Sequence, residues 1–279
     1  MSDMIEFIGS SVVQHGPVND RVYLMKHHSD DSQYIVDRLD LLVSAHGYSK
    51  IFAKVPRWGI DRFVAAGYET EASIPAFFPD GASVCFMGKY FNAARRTELK
   101  PQVVQEVLAA SRAQGALRPL VPLPTGCSAQ VAREEDADEM AEIYRTVFAT
   151  YPFPIHDPGF LKSTMNGNTE YFCVRKGNKI IALSSSEMDL SSRSAEMTDF
   201  ATLPEYRGQG LALNLLQLME EAMFSRGIRS LFTIARAYSF GMNITFARDG
   251  YSFGGTLTNN TNISGSLESM NVWHKALPD

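Results

Sequence analysis

One segment constrains this chain more than any other: Phe200-Ala-Thr-Leu-Pro-Glu-Tyr-Arg-Gly-Gln-Gly-Leu-Ala212. A predicted strand leads into it, and its glycine-rich part opens a helix predicted over residues 211–225. The first turn of a helix carries unpaired N–H groups and the positive end of the helix dipole, which together bind phosphate without basic side chains. Gly208 and Gly210 let the backbone come close to a pyrophosphate, and Arg207 adds a charge-assisted contact. The segment therefore predicts a phosphate-binding loop.

The spacing of the glycines separates this loop from two common nucleotide-binding motifs. A P-loop needs GxxxxGK[ST], and a dinucleotide-binding fold needs GxGxxG. The segment 200–212 contains neither pattern. The sequence therefore favours a different phosphate-bearing ligand.

The elements around the loop predict a mixed α/β sheet of the α+β type. Three strands with short turns between them form a predicted antiparallel meander over 171–175, 180–187 and 195–202. The flanking elements are two helices, a strand and a short helix, predicted over 134–149, 211–225, 228–235 and 243–249. Between the first helix and the meander, the three prolines of residues 151–158 predict a loop.

The N-terminal third repeats the end of this pattern. The segment AHGYSKIFAK at 45–54 parallels SRGIRSLFTI at 225–234, and a Gly-Tyr pair follows each copy, at Gly67 and at Gly250. We interpret this similarity as an internal repeat. The first copy has no glycine-rich loop before its helix, so we expect it to bind no second pyrophosphate and to have a structural role.

A helix and a linker are predicted between the two copies. Residues 92–111 have helical periodicity, and residues 114–128 contain three prolines and two glycines, a composition typical of a linker. The predicted domains are a degenerate, truncated copy at 1–91, the helix and linker at 92–128, and a complete domain at 129–279.

Charge and cysteine usage exclude several other classes. The net charge of −5 argues against a nucleic-acid-binding protein, because such a protein usually carries a basic surplus. Cys85, Cys127 and Cys173 form no CxxC, and no histidine has metal-ligand spacing, so we expect no disulfide framework and no metal. No apolar run reaches the length of a membrane span and no signal peptide is evident, so we expect a cytoplasmic protein.

The loop and several longer strings resemble a known family. Arg-x-x-Gly-x-Ala at 207–212, preceded by Leu-Pro-Glu-Tyr, resembles the acetyl-CoA pyrophosphate loop of the GNAT N-acetyltransferase superfamily, and the order of elements from 129 to 275 resembles its fold. Four strings resemble the β-lysine N-acetyltransferases more closely: IFAKVP (51–56), TYPFPIHDP (150–158), EMTDFATLPEYRG (196–208) and GGTLTNNTNISGSLESMNVW (254–273). The implied architecture is a GNAT acyl-CoA N-acyltransferase fold behind a degenerate GNAT-like domain.

This resemblance implies where acetyl-CoA, the acyl donor, would bind. In the family, acyl-CoA lies between two splayed parallel strands. By match, the main chain of the first strand would hold the pantetheine arm, at Phe200, Ala201 and Thr202. The loop would hold the pyrophosphate, at Arg207, Gly208, Gln209, Gly210, Leu211 and Ala212. The family's cofactor-contacting asparagine falls at Ser239, with Asn243 four residues on as the other candidate.

One position departs from the family pattern. Many members have a tyrosine four residues before the Gly-aromatic turn, and it protonates the departing thiolate. Phe246 stands there in this sequence. Because a phenyl ring cannot donate a proton, water or another side chain, such as Tyr238, would have to supply it.

Amine acetylation needs a group that accepts a proton. An alkyl ammonium has a pKa of about 10.4, so only about one molecule in 2,500 is the free amine at pH 7. Glu196 and Asp199 lie on the strand next to the acyl end, and we rank them first and second as the general base. Strand alternation would point these two to opposite faces unless a bulge intervenes.

The resemblance also implies the acceptor and the pathway. It implies acetyl transfer in a ternary complex to the ε-amine of β-lysine, a product of lysine 2,3-aminomutase, to give the compatible solute Nε-acetyl-β-lysine. Some residues are predicted to bind the substrate because they offer hydrogen-bond donors or acceptors to a zwitterion, and others because they belong to the loop over the acceptor site. They are Tyr151, Phe153, Glu187, Asn260 and Glu268. Another acceptor (lysine, a diamino acid, a polyamine or a protein lysine), a non-catalytic acyl-CoA sensor and a homodimer remain open.

Overall fold

The computed structural model describes residues 3–114 and 122–278. The strands are β1 (Met4–Ile8), β2 (Ser11–Gly16), β3 (Arg21–Lys26), β4 (Lys50–Pro56), β5 (Glu69–Ile74), β6 (Val84–Tyr90), β7 (Cys127–Val131), β8 (Thr169–Lys176), β9 (Lys179–Asp189), β10 (Ser194–Thr202), β11 (Ser230–Arg236), β12 (Ser252–Ile263) and β13 (Ser266–Ala276). The helices are α1 (Ile35–His46), α2 (Ile60–Ala65), α3 (Ala93–Arg96), α4 (Pro101–Arg112), α5 (Ala137–Val147), α6 (Pro158–Met165), α7 (Leu211–Ser225) and α8 (Phe240–Arg248).

These strands form a 13-stranded mixed sheet in the order β1-β2-β3-β4-β6-β5-β12-β13-β11-β10-β9-β8-β7. Apart from the extra edge strand β7, the order is the same when it is followed inward from either side. On the N-terminal side β3 pairs in parallel with β4 through α1, and on the C-terminal side β10 pairs in parallel with β11 through α7. The second strand of each parallel pair lies beside the last strand of its half, so β4 pairs with β6 and β11 pairs with β13. The internal repeat read from the sequence is therefore a repeat of topology.

The two halves meet where β5 and β12 pair antiparallel at Ala72 and Gly255. Gly255 has a φ of +145°, and a Cβ there would stand 2.2 Å from the carbonyl oxygen of Glu71. Only glycine allows the two strands to approach this closely.

A shared core and polar bonds hold the halves together. The rings of Phe77 and Phe86 lie 5.7 and 6.0 Å from the ring of Phe232 in the other half. Arg95 donates through Nε to the carbonyl of Asn259 at 2.7 Å, and Lys50 donates to the carbonyl of Thr258 at 2.8 Å. The contact between the halves is thus packed and hydrogen-bonded like a protein interior.

Several predicted elements differ from those in the structure. The helix predicted over 92–111 is two helices, α3 and α4, because Pro101 starts a helix at its first position but cannot continue one. Helix α6 was not predicted; it begins at Pro158, and Asp157 caps it by accepting from the N–H of Gly159 at 2.9 Å. Strands β1 to β3 were not predicted either, so the first copy includes a meander.

The predicted linker lies only partly within the structure, because residues 115–121 fall outside the described residues. The domain boundaries stay a prediction. In the ranges 3–114 and 122–278, no helix is long and apolar enough to span a membrane.

Candidate active site

A cavity of about 1090 Å³ passes beside the glycine-rich loop. It opens because β10 and β11 pair only briefly, Ser194–Glu196 with Ser230–Phe232, and then separate. Beyond Glu196, the main chain of Phe200 and Thr202 has no pairing partner on β11, and both residues line the cavity. Unpaired strand groups next to an open cleft are suited to bind an extended amide-containing ligand.

The loop has the geometry of an anion site. Gly208 and Gly210 both have φ of +77°, a left-handed conformation that glycine adopts without strain, and Gly210 is the N-cap of α7. Because that N-cap has no side chain, none covers the N–H groups of the first turn. A Cβ on Gly208 would meet no atom within 4 Å, so the space over the loop is open. These features fit a pyrophosphate.

Four acidic side chains line the same cavity: Glu187, Asp189, Glu196 and Asp199. Asp189 is paired with Lys26 at 3.2 Å, and the other three form an acidic cluster. Glu196 and Glu187 are direct partners in the β9–β10 register, so their side chains share a face. Asp199 joins them because the register of β10 shifts between Thr198 and Ala201, and Asp199 has a φ of +55°. Strand β10 therefore contains the bulge that is needed for Glu196 and Asp199 to face the same side.

Asp199 is held by neighbouring hydroxyl groups, whereas the two glutamates are not. Ser185 donates to Asp199 Oδ2 at 2.6 Å, and Tyr151 donates its hydroxyl proton to Oδ1. The carboxylates of Glu187 and Glu196 accept no hydrogen bond from any residue in 3–114 or 122–278. Asp199 is thus a fixed anchor for the segment at Tyr151, and the glutamates remain available to a ligand.

Burial sets the ionisation of the cluster. Burial raises the pKa of Glu196 well above the usual glutamate range, and nearby Lys54 opposes that rise. Burial raises the pKa of Glu187 further, because the charges of Glu196 and Asp199 add to it. A carboxylate poised in this way accepts a proton from an ammonium group more readily than an ordinary surface glutamate.

The N-terminal half supplies the opposite wall of the cavity. Arg21, Tyr23, Phe52 and Lys54 from β3 and β4 line it. The N-terminal half therefore contributes residues to the cavity as well as packing on the C-terminal half. Sequence reasoning missed these residues because β3 and β4 are far from β10 in the chain and in the strand order, and no local pattern shows that they line one cavity. The only related signal was the string IFAKVP, which contains Lys54.

Comparison with known proteins settles the family. Residues 137–242 match the model of the Acetyltransferase (GNAT) family. Over 275 residues the chain is 38% identical to the Beta-lysine N(6)-acetyltransferase of Methanococcus maripaludis, and the match covers 99% of both chains. The chain belongs to the β-lysine N-acetyltransferase family of GNAT enzymes. It is an acetyl-CoA-dependent N-acetyltransferase.

Further relatives are similar over shorter stretches. The chain is 36% identical to the N-acetyltransferase YodP of Bacillus subtilis over 202 residues, 71% of each chain. It is 39% identical to the Beta-lysine N(6)-acetyltransferase of Methanosarcina mazei over 155 residues, 56% of this chain and 57% of that one. Among solved structures, the ribosomal-protein-S18-alanine N-acetyltransferase of Escherichia coli matches with a TM-score of 0.48 and 16% identity, covering 55% of this chain and 95% of that chain.

In this acetyltransferase, most residues predicted for acetyl-CoA lie at the cavity. Its lining includes Phe200, Thr202, Arg207, Gly208, Gly210, Leu211, Ala212 and Ser239. Ala201 and Gln209 are not part of the lining: the side chain of Ala201 packs into the core, and Gln209 is exposed. Asn243 is fully buried and accepts from Asn271 Nδ2 and Trp273 Nε1, both at 2.8 Å, so it supports the fold under Ser239.

The residues predicted for the acceptor divide into two groups. Tyr151, Phe153, Glu187 and Asn260 line the cavity. Glu268 does not line it: its carboxylate accepts from Arg236 Nη2 at 2.7 Å and Nε at 2.9 Å. An acid already paired in this bidentate way is not free for a ligand, so Glu268 is dropped as a substrate contact.

The residue predicted as proton donor for the thiolate, Tyr238, does not lie at the cavity. Tyr238 lies outside the cavity lining and donates its hydroxyl to Glu98 at 2.5 Å. Phe246 lines the cavity and meets Phe200 edge-on at 5.6 Å. None of the described cysteines lines the cavity, and in the described ranges no three His, Cys, Asp or Glu side chains are grouped to hold a metal.

Proposed function

We propose that this enzyme acetylates the ε-amine of β-lysine. The observation that carries the proposal is the cluster of Glu187, Glu196 and Asp199 in the cavity that the glycine-rich loop borders. β-Lysine carries two ammonium groups, and an acidic cluster next to an acyl-CoA cleft is suited to receive them. The names of the Methanococcus and Methanosarcina relatives support this choice of acceptor.

Acetyl-CoA supplies the thioester whose carbonyl carbon the amine attacks. Residues 207–212 would hold its pyrophosphate, and the main chain of Phe200 and Thr202, which has no partner on β11, would position its pantetheine arm. These groups bind and orient the donor, so that the splay between β10 and β11 directs the acyl end toward Glu196.

Glu196 is the proposed general base. It takes a proton from the ε-ammonium, directly or through one water, and the free amine nitrogen then forms the C–N bond as the C–S bond breaks. Its raised pKa brings it closer to that of the amine than an ordinary carboxylate, which lowers the cost of the proton transfer. The departing thiolate takes a proton from water, since Phe246 cannot donate one, and the acetylated nitrogen returns its excess proton to that water.

Glu187 and Asp199 have supporting roles in this proposal. Glu187 receives the second ammonium of the acceptor, whose charge would offset the repulsion among the three acids. Asp199, through Tyr151, holds the loop 151–157 across the cavity entrance, where Phe153 also lines the wall. The acceptor would thus be enclosed, which keeps water from the thioester.

We propose direct transfer within a ternary complex, because Cys85, Cys127 and Cys173 all lie outside the cavity lining. The experiment is to incubate the enzyme with β-lysine and acetyl-CoA and to assign the acetylated nitrogen by NMR. We expect N6-acetyl-β-lysine, and intact-protein mass spectra without acceptor should show no acetyl-enzyme. Acetylation at N3, or an acetylated protein that is competent for transfer, would contradict the proposal.

The same substrate implies a metabolic setting. β-Lysine requires an aminomutase acting on lysine, so we propose lysine 2,3-aminomutase as the pathway neighbour and the cytoplasm as the compartment. Acetylation of the ε-amine removes one positive charge and leaves a net-neutral zwitterion, a property that suits a compatible solute.

A further inference from the structure

Two positive side chains of the N-terminal half reach the cavity without a carboxylate partner. Arg21 is 4% exposed and Lys54 is half-buried, and both line the cavity. In 3–114 and 122–278, neither has a carboxylate oxygen within 4.0 Å. Two nearby lysines are paired: Lys50 lies 2.8 Å from Glu71, and Lys26 lies 3.2 Å from Asp189. Glu196 lies close enough to attract both cations but bonds to neither, and an anionic ligand would pair with them directly.

One edge of the Arg21 guanidinium group has no acceptor in the described part of the chain. Its Nη1 donates to the carbonyl of Asn260 at 2.6 Å and to Thr261 Oγ1 at 3.1 Å. Its Nε is buried and has no acceptor among the residues that the structure describes. The edge formed by Nε and Nη2 presents two parallel N–H groups, the arrangement that binds a carboxylate in a bidentate way.

Aromatic rings fix the positions of both cations. The rings of Tyr23 and Phe52 stack at 4.4 Å, and the guanidinium carbon of Arg21 lies 5.2 Å from the Tyr23 centroid. The ammonium of Lys54 lies 5.6 Å from the centroid of Phe232. These contacts hold the two charges in place without neutralising them.

We propose that Lys54 and Arg21 bind the carboxylate of the acceptor, so that the N-terminal half selects an amino acid over a polyamine. This inference rests on the proposed function, because it takes an amine with a carboxylate as the acceptor. The acids on β9 and β10 receive ammonium groups and the cations on β3 and β4 receive the carboxylate. A polyamine would place an ammonium group against Lys54, and that like-charge contact would exclude it.

The test compares β-lysine with 1,4-diaminopentane, which is β-lysine without its carboxylate. Lys54→Met should raise the KM for β-lysine about ten- to hundredfold, because a charge-assisted bond in a buried site is lost. The same variant should leave the KM for 1,4-diaminopentane unchanged or lower it. Lys54→Arg, which keeps the charge, should restore most of the affinity for β-lysine.

Lys26→Met is the matched control. It removes the same charge from the cavity rim, but Lys26 is already paired with Asp189, so both KM values should stay within about threefold of the wild type. Thermal unfolding of each variant checks the fold. An equal rise of both KM values in Lys54→Met, or a loss of kcat alone with both amines, would overturn the inference, because Lys54 would then act through Glu196 and not on the carboxylate.

Failure of the proposed function gives a different result. If the wild-type enzyme acetylates another amino acid instead of β-lysine, the function is wrong, and the same comparison with that amino acid and its decarboxylated amine decides the inference. If the wild type prefers 1,4-diaminopentane to β-lysine, both fail. If it turns over neither, calorimetric binding of the two compounds to the wild type and to Lys54→Met decides the inference, and equal changes overturn it.

Discussion

Glu196 is the single residue on which the proposed reaction most depends. Glu196→Gln keeps the shape of the side chain but cannot accept a proton, so kcat should fall about 10²- to 10⁴-fold while the KM for acetyl-CoA stays near the wild-type value. The matched control is Glu205→Gln, an exposed glutamate next to the loop whose carboxylate has only a distant partner, Lys179 at 3.9 Å. A Glu196→Gln enzyme with wild-type kcat would show that another group is the base.

The pH dependence of kcat/KM tests the role of Glu196 independently. Glu196 must be ionised to act as a base, so kcat/KM should increase with pH through a pKa above the usual glutamate range. The groups that set this pKa are Lys54 and Arg21, which lower it, and Asp199, which raises it together with burial. Glu196→Gln should lose that ascending limb, and an unchanged limb in the variant would assign it to another group.

Glu187 should link stability to pH with the opposite sign to a salt-bridged acid. Its pKa is higher in the folded protein than in the unfolded chain, because burial favours the neutral acid. The stability it contributes is therefore present at low pH and is lost as pH rises through the folded pKa. Without ligands, Glu187→Gln should raise Tm by several degrees at pH 8 and change it little at pH 5. A lower Tm than the wild type at pH 8 would contradict this prediction.

The sequence alone predicts some of the residues that line the cavity and not others. Glu187, Glu196 and Asp199 could be predicted because their strands and the loop that follows have local signatures. Arg21 and Lys54 could not be placed at the cavity in this way, because they belong to a distant part of the chain. Glu268 was misjudged for a related reason: only the structure shows Arg236 beside it.

At the scale of elements, the loop and the helix it opens form the proposed donor site. Gly208→Ala should raise the KM for acetyl-CoA about tenfold or more, because the left-handed φ costs about 1 kcal/mol for alanine and the new methyl group projects into the open space over the loop. The KM for the amine should change little. Steady-state kinetics with each substrate varied in turn makes the measurement.

The far end of the same helix offers a close control. Gly227 follows α7, has a φ of +80° and, like Gly208, would meet no atom within 4 Å if it carried a Cβ. Gly227→Ala therefore introduces the same backbone strain away from the loop. It should lower Tm by about as much as Gly208→Ala and leave the KM for acetyl-CoA unchanged. Equal KM changes in the two variants would attribute the effect to strain and not to the donor site.

Element prediction succeeded where the local signals were strong. Helix α7 was placed at 211–225, where the structure has it, because a glycine loop and an amphipathic stripe mark its start and its face. The bulge in β10 was stated only as a condition. At the bulge, Asp199 accepts from the hydroxyls of Ser185 and Tyr151, which lie in other parts of the chain and cannot be read from the sequence of the strand itself.

At the scale of the whole molecule, the two halves should unfold together. They share a sheet through β5 and β12 and a core around Phe232. The chain has two tryptophans, one in each half, Trp58 and Trp273. Each of the variants Trp58→Phe and Trp273→Phe keeps a single tryptophan, so its fluorescence reports on one half. In both variants, the midpoint of urea unfolding from fluorescence should coincide with the midpoint from far-UV circular dichroism. Separate midpoints in either variant would show that the halves unfold independently.

The central claim concerns the acceptor, and an acceptor panel tests it most directly. Thiol release from acetyl-CoA would be measured with β-lysine, α-lysine, spermidine and a lysine-bearing peptide, each against a control without acceptor. We predict the highest kcat/KM with β-lysine and little turnover of spermidine or the peptide. Equal or faster turnover of another amine would contradict the claim, as would acetyl-CoA binding without turnover of any acceptor, which would indicate an acyl-CoA sensor.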